Sequence, residues 1–154
     1  MKGGKSTARL LLSLLMTLWA GAIIGLSFIA TPLKFQAPHL TMPVALEVGR
    51  YTFGLFANVE SGFLIASVVT AMIARPRRIT VVAMGAVAAM LLSQRFWLLP
   101  ELDGRVAQIL AGGAITFSAS HWIYAVFDGL KIILLLGGAI SAFAGCQSAG
   151  PRPD

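Results

Sequence analysis

Glu60, Arg95, Asp128 and Lys131 lie inside or at the edge of stretches otherwise built from aliphatic and aromatic residues, with His121 at the rim of the last stretch. A charge in hydrocarbon is costly unless it is paired or wet, so such residues usually face a bundle interior and often mark a functional path. In the last stretch His121, Tyr124, Asp128 and Lys131 recur at helical spacing. At about 100° per residue they fall within an arc of about 80°. The other face of that stretch, with Ile123, Phe127 and Leu134, is apolar. Asp128 and Lys131 can pair one turn apart. Such a stripe supports two kinds of chemistry. Wet and open, it can exchange protons or bind a small solute. Dry and paired, it only locks helices into one register.

The elements that carry these residues are membrane spans. The chain has 154 residues, of which 57% are hydrophobic and 12% charged. Soluble domains carry about 25% charged residues. A spanning helix needs about 20 mostly apolar residues. Four segments qualify, at residues 10–30, 52–74, 79–99 and 121–145. Their expected stops are Thr31-Pro32, the Arg75-Pro76-Arg77-Arg78 turn and Pro100. The first apolar run is about twice the length of a cleavable signal core, which predicts a retained signal-anchor helix. No span carries the internal glycine or proline break that would open a binding site, and no internal repeat supports an inverted-repeat transporter.

Basic residues orient the spans. Lys2, Lys5, Arg9, Arg75, Arg77, Arg78 and Arg152 fall on one side, against Lys34, Arg50, Arg95 and Arg105 on the other. The richer side is cytoplasmic, so both termini are expected there. Trp97, Trp122 and Tyr51 then mark the outer boundary. The net charge of +6 is read as orientation and lipid-headgroup contact. No aromatic-interleaved basic patch points to nucleic acid. Pro43 predicts a second helix that starts well before its span. Leu102, Val106, Ile109 and Leu110 predict a short amphipathic helix in the second outer loop, over about 101–111, lying on the outer surface. Glu60, Arg95 and Asp128 all fall in the outer half of the bilayer by residue count. With Lys131 they give two acids and two bases in one layer, with Asn58, Ser61, Ser93 and Gln94 nearby.

Other features carry less. Gly21 and Gly25 form a GxxxG spacing for close helix packing, within the chain or between protomers, and Gly137 and Gly138 read likewise. His39 and His121, with Met42 near His39, could ligate copper or haem, but no supporting motif surrounds them and no cofactor is expected. Cys146 is the lone cysteine, with no metal spacing around it. Nucleophile–base constellations and phosphate loops are absent.

WAGAIIGLSFIATPLKF, VGRYTFGLFANVE, RFWLLPELDGR and HWIYAVFDGLK resemble segments of the small bacterial four-helix membrane proteins related to eukaryotic transmembrane protein 205. The resemblance runs from about Trp19 to about Lys131. It implies four spans and no established enzymatic activity. Gly21, Pro32, Phe35, Gly49, Arg50, Phe53, Glu60, Arg95, Pro100, Leu102, Arg105, His121, Asp128 and Lys131 match the pattern, without roles to carry over.

The expectation is thus an all-α, single-domain, integral membrane four-helix bundle in the inner membrane, with both termini cytoplasmic. Glu60, Arg95, His121, Tyr124, Asp128 and Lys131 would form a buried polar cluster. The leading functional expectation is a non-enzymatic accessory, scaffold or assembly component. Its partners would be the lipid bilayer, other membrane subunits or a second copy. The competing readings are a proton-coupled transporter or channel using the cluster, and a metal- or haem-binding redox protein.

Overall fold

The computed structural model describes residues 2–113 and 119–147. Among these residues the regular elements are α1 (Lys2–Ile23), α2 (Thr31–Lys34), α3 (Met42–Ala74), α4 (Arg78–Ser93), α5 (Leu99–Leu110) and α6 (Ala119–Gln147). Two π-helical segments, Ile24–Ala30 and Gln94–Leu98, join α1 to α2 and α4 to α5. Four continuous rods result: Gly3–Lys34, Met42–Ala74, Arg78–Leu110 and Ala119–Cys146. Each is long and apolar enough to cross a membrane. Arg152, one of the basic residues that orient the spans, lies outside the described residues.

Two expected stops are corrected by this arrangement. Helix one continues through Thr31-Pro32, and helix three continues through Pro100 into α5. A proline has no N–H, and its ring crowds the carbonyl four residues back. In both rods a π segment ends just before the proline. The Thr31 N–H donates to the Leu26 carbonyl, and the Leu99 N–H donates to the Gln94 carbonyl. Each bond reaches five residues back, so the widened turn absorbs the missing donor and the rod goes on. The amphipathic helix expected as a separate element is therefore the last third of the third rod. The two π segments widen the first and third rods without breaking them. The second rod opens as its Thr-Met-Pro start predicts, with Thr41 extended and proline in the first turn. It closes at Arg75, a left-handed residue at φ 45°, and Pro76 cannot extend it.

Packing follows one stripe of α1. Leu12, Met16, Trp19 and Ile23, alternating four and three residues apart, are fully buried. They meet Leu135, Ala139 and Ala142 of α6, Val87 and Leu91 of α4, and Phe56 of α3. α1 packs on α6 and α3, α6 packs on α4, and α5 leans on α3. This ring order leaves α3 and α6 on one diagonal. The outer faces stay apolar, with Leu11, Leu14, Leu18, Ile65, Val69, Val82 and Ile133 exposed. A helix that is hydrophobic all round belongs in a membrane.

At the end that carries both described termini, one side chain bridges two helix ends. The Arg9 guanidinium donates to the carbonyls of Ala74 (3.2 Å), Arg75 (3.4 Å) and Gly145 (2.6 Å). These carbonyls belong to the last turns of α3 and α6, where a cation also meets the negative ends of the helix dipoles.

The glycines divide sharply. A side chain at Gly138 would run into Met16 of α1 and touch Ala83 of α4. Gly21 and Gly25 face open space instead, so the GxxxG spacing makes no close helix contact among the described residues. Gly138→Val is expected to destabilise the bundle by about 1–3 kcal/mol, the usual range for overpacking, while Gly21→Val leaves stability within about 0.5 kcal/mol. Reversible unfolding in mixed micelles checks both; equal losses would contradict this packing.

Candidate functional site

The diagonal between α3 and α6 is bridged by a buried ion cluster. Lys131 Nζ donates to Glu60 Oε1 at 2.6 Å and lies 3.0 Å from Asp128 Oδ1. All three side chains have at most 1% of their surface exposed, which leaves Lys131 as the main source of charge compensation for two acids. The Asp128–Lys131 pair follows from helical spacing alone. The Glu60–Lys131 pair exists only because α3 and α6 face each other across the core.

Every rod contributes to this cluster. Trp19 Nε1 of α1 donates to Glu60 Oε1 at 3.0 Å. Ser27 Oγ donates to Asp128 Oδ2 at 2.6 Å. Gln94 Nε2 donates to Asp128 Oδ1 at 2.8 Å and to the Tyr124 carbonyl at 3.3 Å. Ser27 lies in the first π segment and Gln94 opens the second. The two irregular turns thus each direct one donor at the same carboxylate. Such turns occur frequently at functional sites.

Two buried oxygens are left over. Glu60 Oε2 and Gln94 Oε1 have no hydrogen-bond partner among the described residues. The cluster also holds two carboxylates against one ammonium, a formal charge of −1 when both acids are ionised. One further proton or cation would neutralise it, and low dielectric favours neutrality.

The expected fourth member is elsewhere. Arg95 is only half-buried and donates to Asn58 Oδ1 (2.9 Å) and Ser61 Oγ (3.4 Å) of α3. One residue advances a helix by about 100°, so Gln94 and Arg95 cannot both face the core. Gln94 takes the inward position, and Arg95 turns to the seam between α3 and the third rod. His121 is exposed, because it sits in the first turn of α6 beyond the packed core. Tyr124 is buried and meets Phe53 edge-on at a centroid distance of 5.2 Å. His39 is exposed in the connection before α3. Among the described residues no group of three or more His, Cys, Asp or Glu side chains could hold a metal ion.

A pocket of about 450 Å³ leads to the cluster from the end opposite the termini. Asp128, Ser27 and Tyr124 line its deep part, and Lys34, Arg50 and His121 line it towards the mouth. Phe28, Phe35, Phe53, Leu46, Val106 and Trp122 form its apolar walls. Sequence reasoning missed Trp19 and Ser27 as donors and Lys34 as a pocket residue. Trp19 left a signal: an indole N–H deep in an apolar run needs an acceptor. Ser27 and Lys34 left none, because their roles depend on the π turn and on the approach of α3.

The charge count makes a sharp stability prediction. Lys131→Met leaves two buried carboxylates facing each other and is expected to cost about 3–5 kcal/mol, the usual cost of breaking a buried pair. Glu60→Gln keeps an acceptor for Lys131 and Trp19 and leaves one acid against one base, so it costs less. Unfolding in mixed micelles measures both, and a larger loss for Glu60→Gln would refute the count.

Comparison with known proteins agrees with the membrane reading and adds no activity. The chain matches none of the curated proteins and none of the solved structures it was compared with. Residues 14–110 match a protein family described as a domain of unknown function, DUF4149. The match takes in Trp19, Ser27, Glu60 and Gln94, and it stops before α6 supplies Asp128 and Lys131. Because it spans more than half of the sequence, this chain of four apolar rods around a buried ion cluster belongs to the DUF4149 family.

Proposed function

We propose that the protein is a multi-pass membrane protein that binds a small solute from the far end of the bundle and couples its passage to a proton. One observation carries this reading: a pocket of about 450 Å³ ends on Asp128, in a cluster that has one carboxylate more than it has cations. A network that served only to lock helices would need neither the pocket nor the unpartnered Glu60 Oε2. Glu60 and Asp128 would be the proton-responsive groups and Lys131 their counter-ion. Ser27 and Gln94 would position the Asp128 carboxylate through the two π turns. Arg95, outside the cluster, has no part in the proton step.

The membrane placement belongs to the same reading. Both termini would be cytoplasmic, the pocket would open outward, and α5 would lie at the outer surface. The resemblance to bacterial relatives of transmembrane protein 205 supports an inner-membrane location. A second reading, an accessory or assembly component, is favoured by the open face at Gly21 and Gly25. Such a face suits close approach by a helix of another subunit or a second copy.

Two measurements test these proposals. Liposomes carrying the purified chain and an internal pH dye should take up protons under an imposed potential, and Asp128→Asn and Glu60→Gln should each reduce the rate at least about tenfold. Uptake unchanged in both variants, or no uptake above empty liposomes, would overturn transport. The orientation is read by reporter fusions: a C-terminal fluorescent protein should shine and a C-terminal alkaline phosphatase should be inactive. The reverse pattern would invert the topology.

A further inference from the structure

Lys34 is a cation in the pocket that the proton step does not use. It ends α2, and its side chain is half-buried. The ammonium lies against the α-carbon of Gly49 on α3, where the first atom of any side chain would collide with it. Its Nζ also lies over the Phe35 ring, 5.0 Å from the centroid. No carboxylate among the described residues pairs with it. Arg50, the other permanent cation of the pocket, is already held by Asp103 at 3.5 Å. Removing an ammonium partly from water without an anion is unfavourable, and the position is kept open by the glycine opposite.

The rest of the pocket shows what kind of anion fits. Phe28, Phe53, Leu46, Val106 and Trp122 offer an apolar wall. A volume of about 450 Å³ lies within the usual range of small-molecule sites, about 300–1,000 Å³. At the deep end the Asp128 carboxyl already accepts from Ser27, Gln94 and Lys131 and offers an anion no donor, which directs an anionic group to the mouth. Lys34, Arg50 and His121 are the groups that meet it there.

We propose that the pocket binds an organic anion with an apolar body, its carboxylate or phosphate on Lys34 and its apolar part against Phe28, Phe53 and Trp122. This rests on reading the pocket as the solute site. Gly49 is a positioning residue: a side chain there would displace the ammonium, the flexible end of Lys34, from this place in the pocket. The same chemistry is offered by a free amphiphilic acid and by the headgroup of an anionic lipid.

The test uses the full chain in phosphatidylcholine nanodiscs with dansylaminoundecanoate as probe and its uncharged primary amide as control. Saturable binding of the acid should be at least about tenfold tighter than that of the amide, a difference of about 1.4 kcal/mol. Lys34→Gln should remove that preference, Lys34→Arg should keep most of it, and Gly49→Ala should weaken it. Equal affinity for acid and amide, or full preference in Lys34→Gln, would overturn the proposal. Replacing part of the phosphatidylcholine with phosphatidylglycerol separates the sources. Loss of probe binding would identify a lipid headgroup as the occupant, and unchanged binding would identify a free organic anion. Proton uptake without an acid preference would overturn the anion site alone. An acid preference without proton uptake would overturn the transport reading and leave the anion site standing.

Discussion

An ammonium shared by two carboxylates in the middle of an apolar bundle constrains everything around it. Lys131 can be charged there only because Glu60 and Asp128 are within 3.0 Å, and those acids are tolerable only because Trp19, Ser27 and Gln94 donate to them. These donors come from the first and third rods and the charged groups from the second and fourth, so a sliding or rotation of any rod would strip a hydrogen bond from a buried charge. Hydrocarbon offers no replacement partner. The cluster therefore sets the relative heights of the four rods, which apolar packing alone leaves loosely specified.

The two π segments are the backbone counterpart of that constraint. Each lies one turn before a proline, and each turns a polar side chain towards Asp128. Proline usually ends a helix because a donor is missing and a ring intrudes. Here the widened turn accommodates both, and the same shift in register decides which residue faces inward. On the third rod it is Gln94 that faces in, and Arg95 is left to Asn58 and Ser61 on the seam. The neutral amide in place of a guanidinium leaves the cluster one positive charge short. A positional detail of the backbone thus becomes the electrostatic property on which the functional reading rests.

The pocket and the cluster divide the far half of the bundle by sign. The Asp128 carboxyl lies at the floor and the Lys34 and Arg50 cations lie near the mouth, with aromatic and aliphatic walls between them. An elongated ligand would be held in one orientation by such a field, with its anionic end out. Gly49 shows how closely the mouth is fitted, because a single added carbon would occupy the space of the Lys34 ammonium. At the opposite end Arg9 gathers helix-end carbonyls from two rods, a structural use of a residue that sequence reasoning assigned only to orientation.

Composition and period were enough to establish four apolar rods, the polar stripe of α6 and the Asp128–Lys131 pair. These depend on local quantities: the cost of charge in hydrocarbon, the length needed to span it and the helical repeat. The early start of α3 was legible for the same reason, since Thr41 and Pro43 act on their own turn. Continuity through Pro32 and Pro100 was not legible, because a π turn differs from a break only in which carbonyl accepts a bond. Nor could the sequence tell that Arg95 and His121 would stand apart while Trp19, Ser27 and Gln94 joined Glu60, Asp128 and Lys131. That choice follows from the rotation and height of whole rods, settled by distant packing of Leu12, Met16, Leu135 and Val87. A residue's type shows that it needs a partner, but only the assembled bundle decides which partner comes within reach.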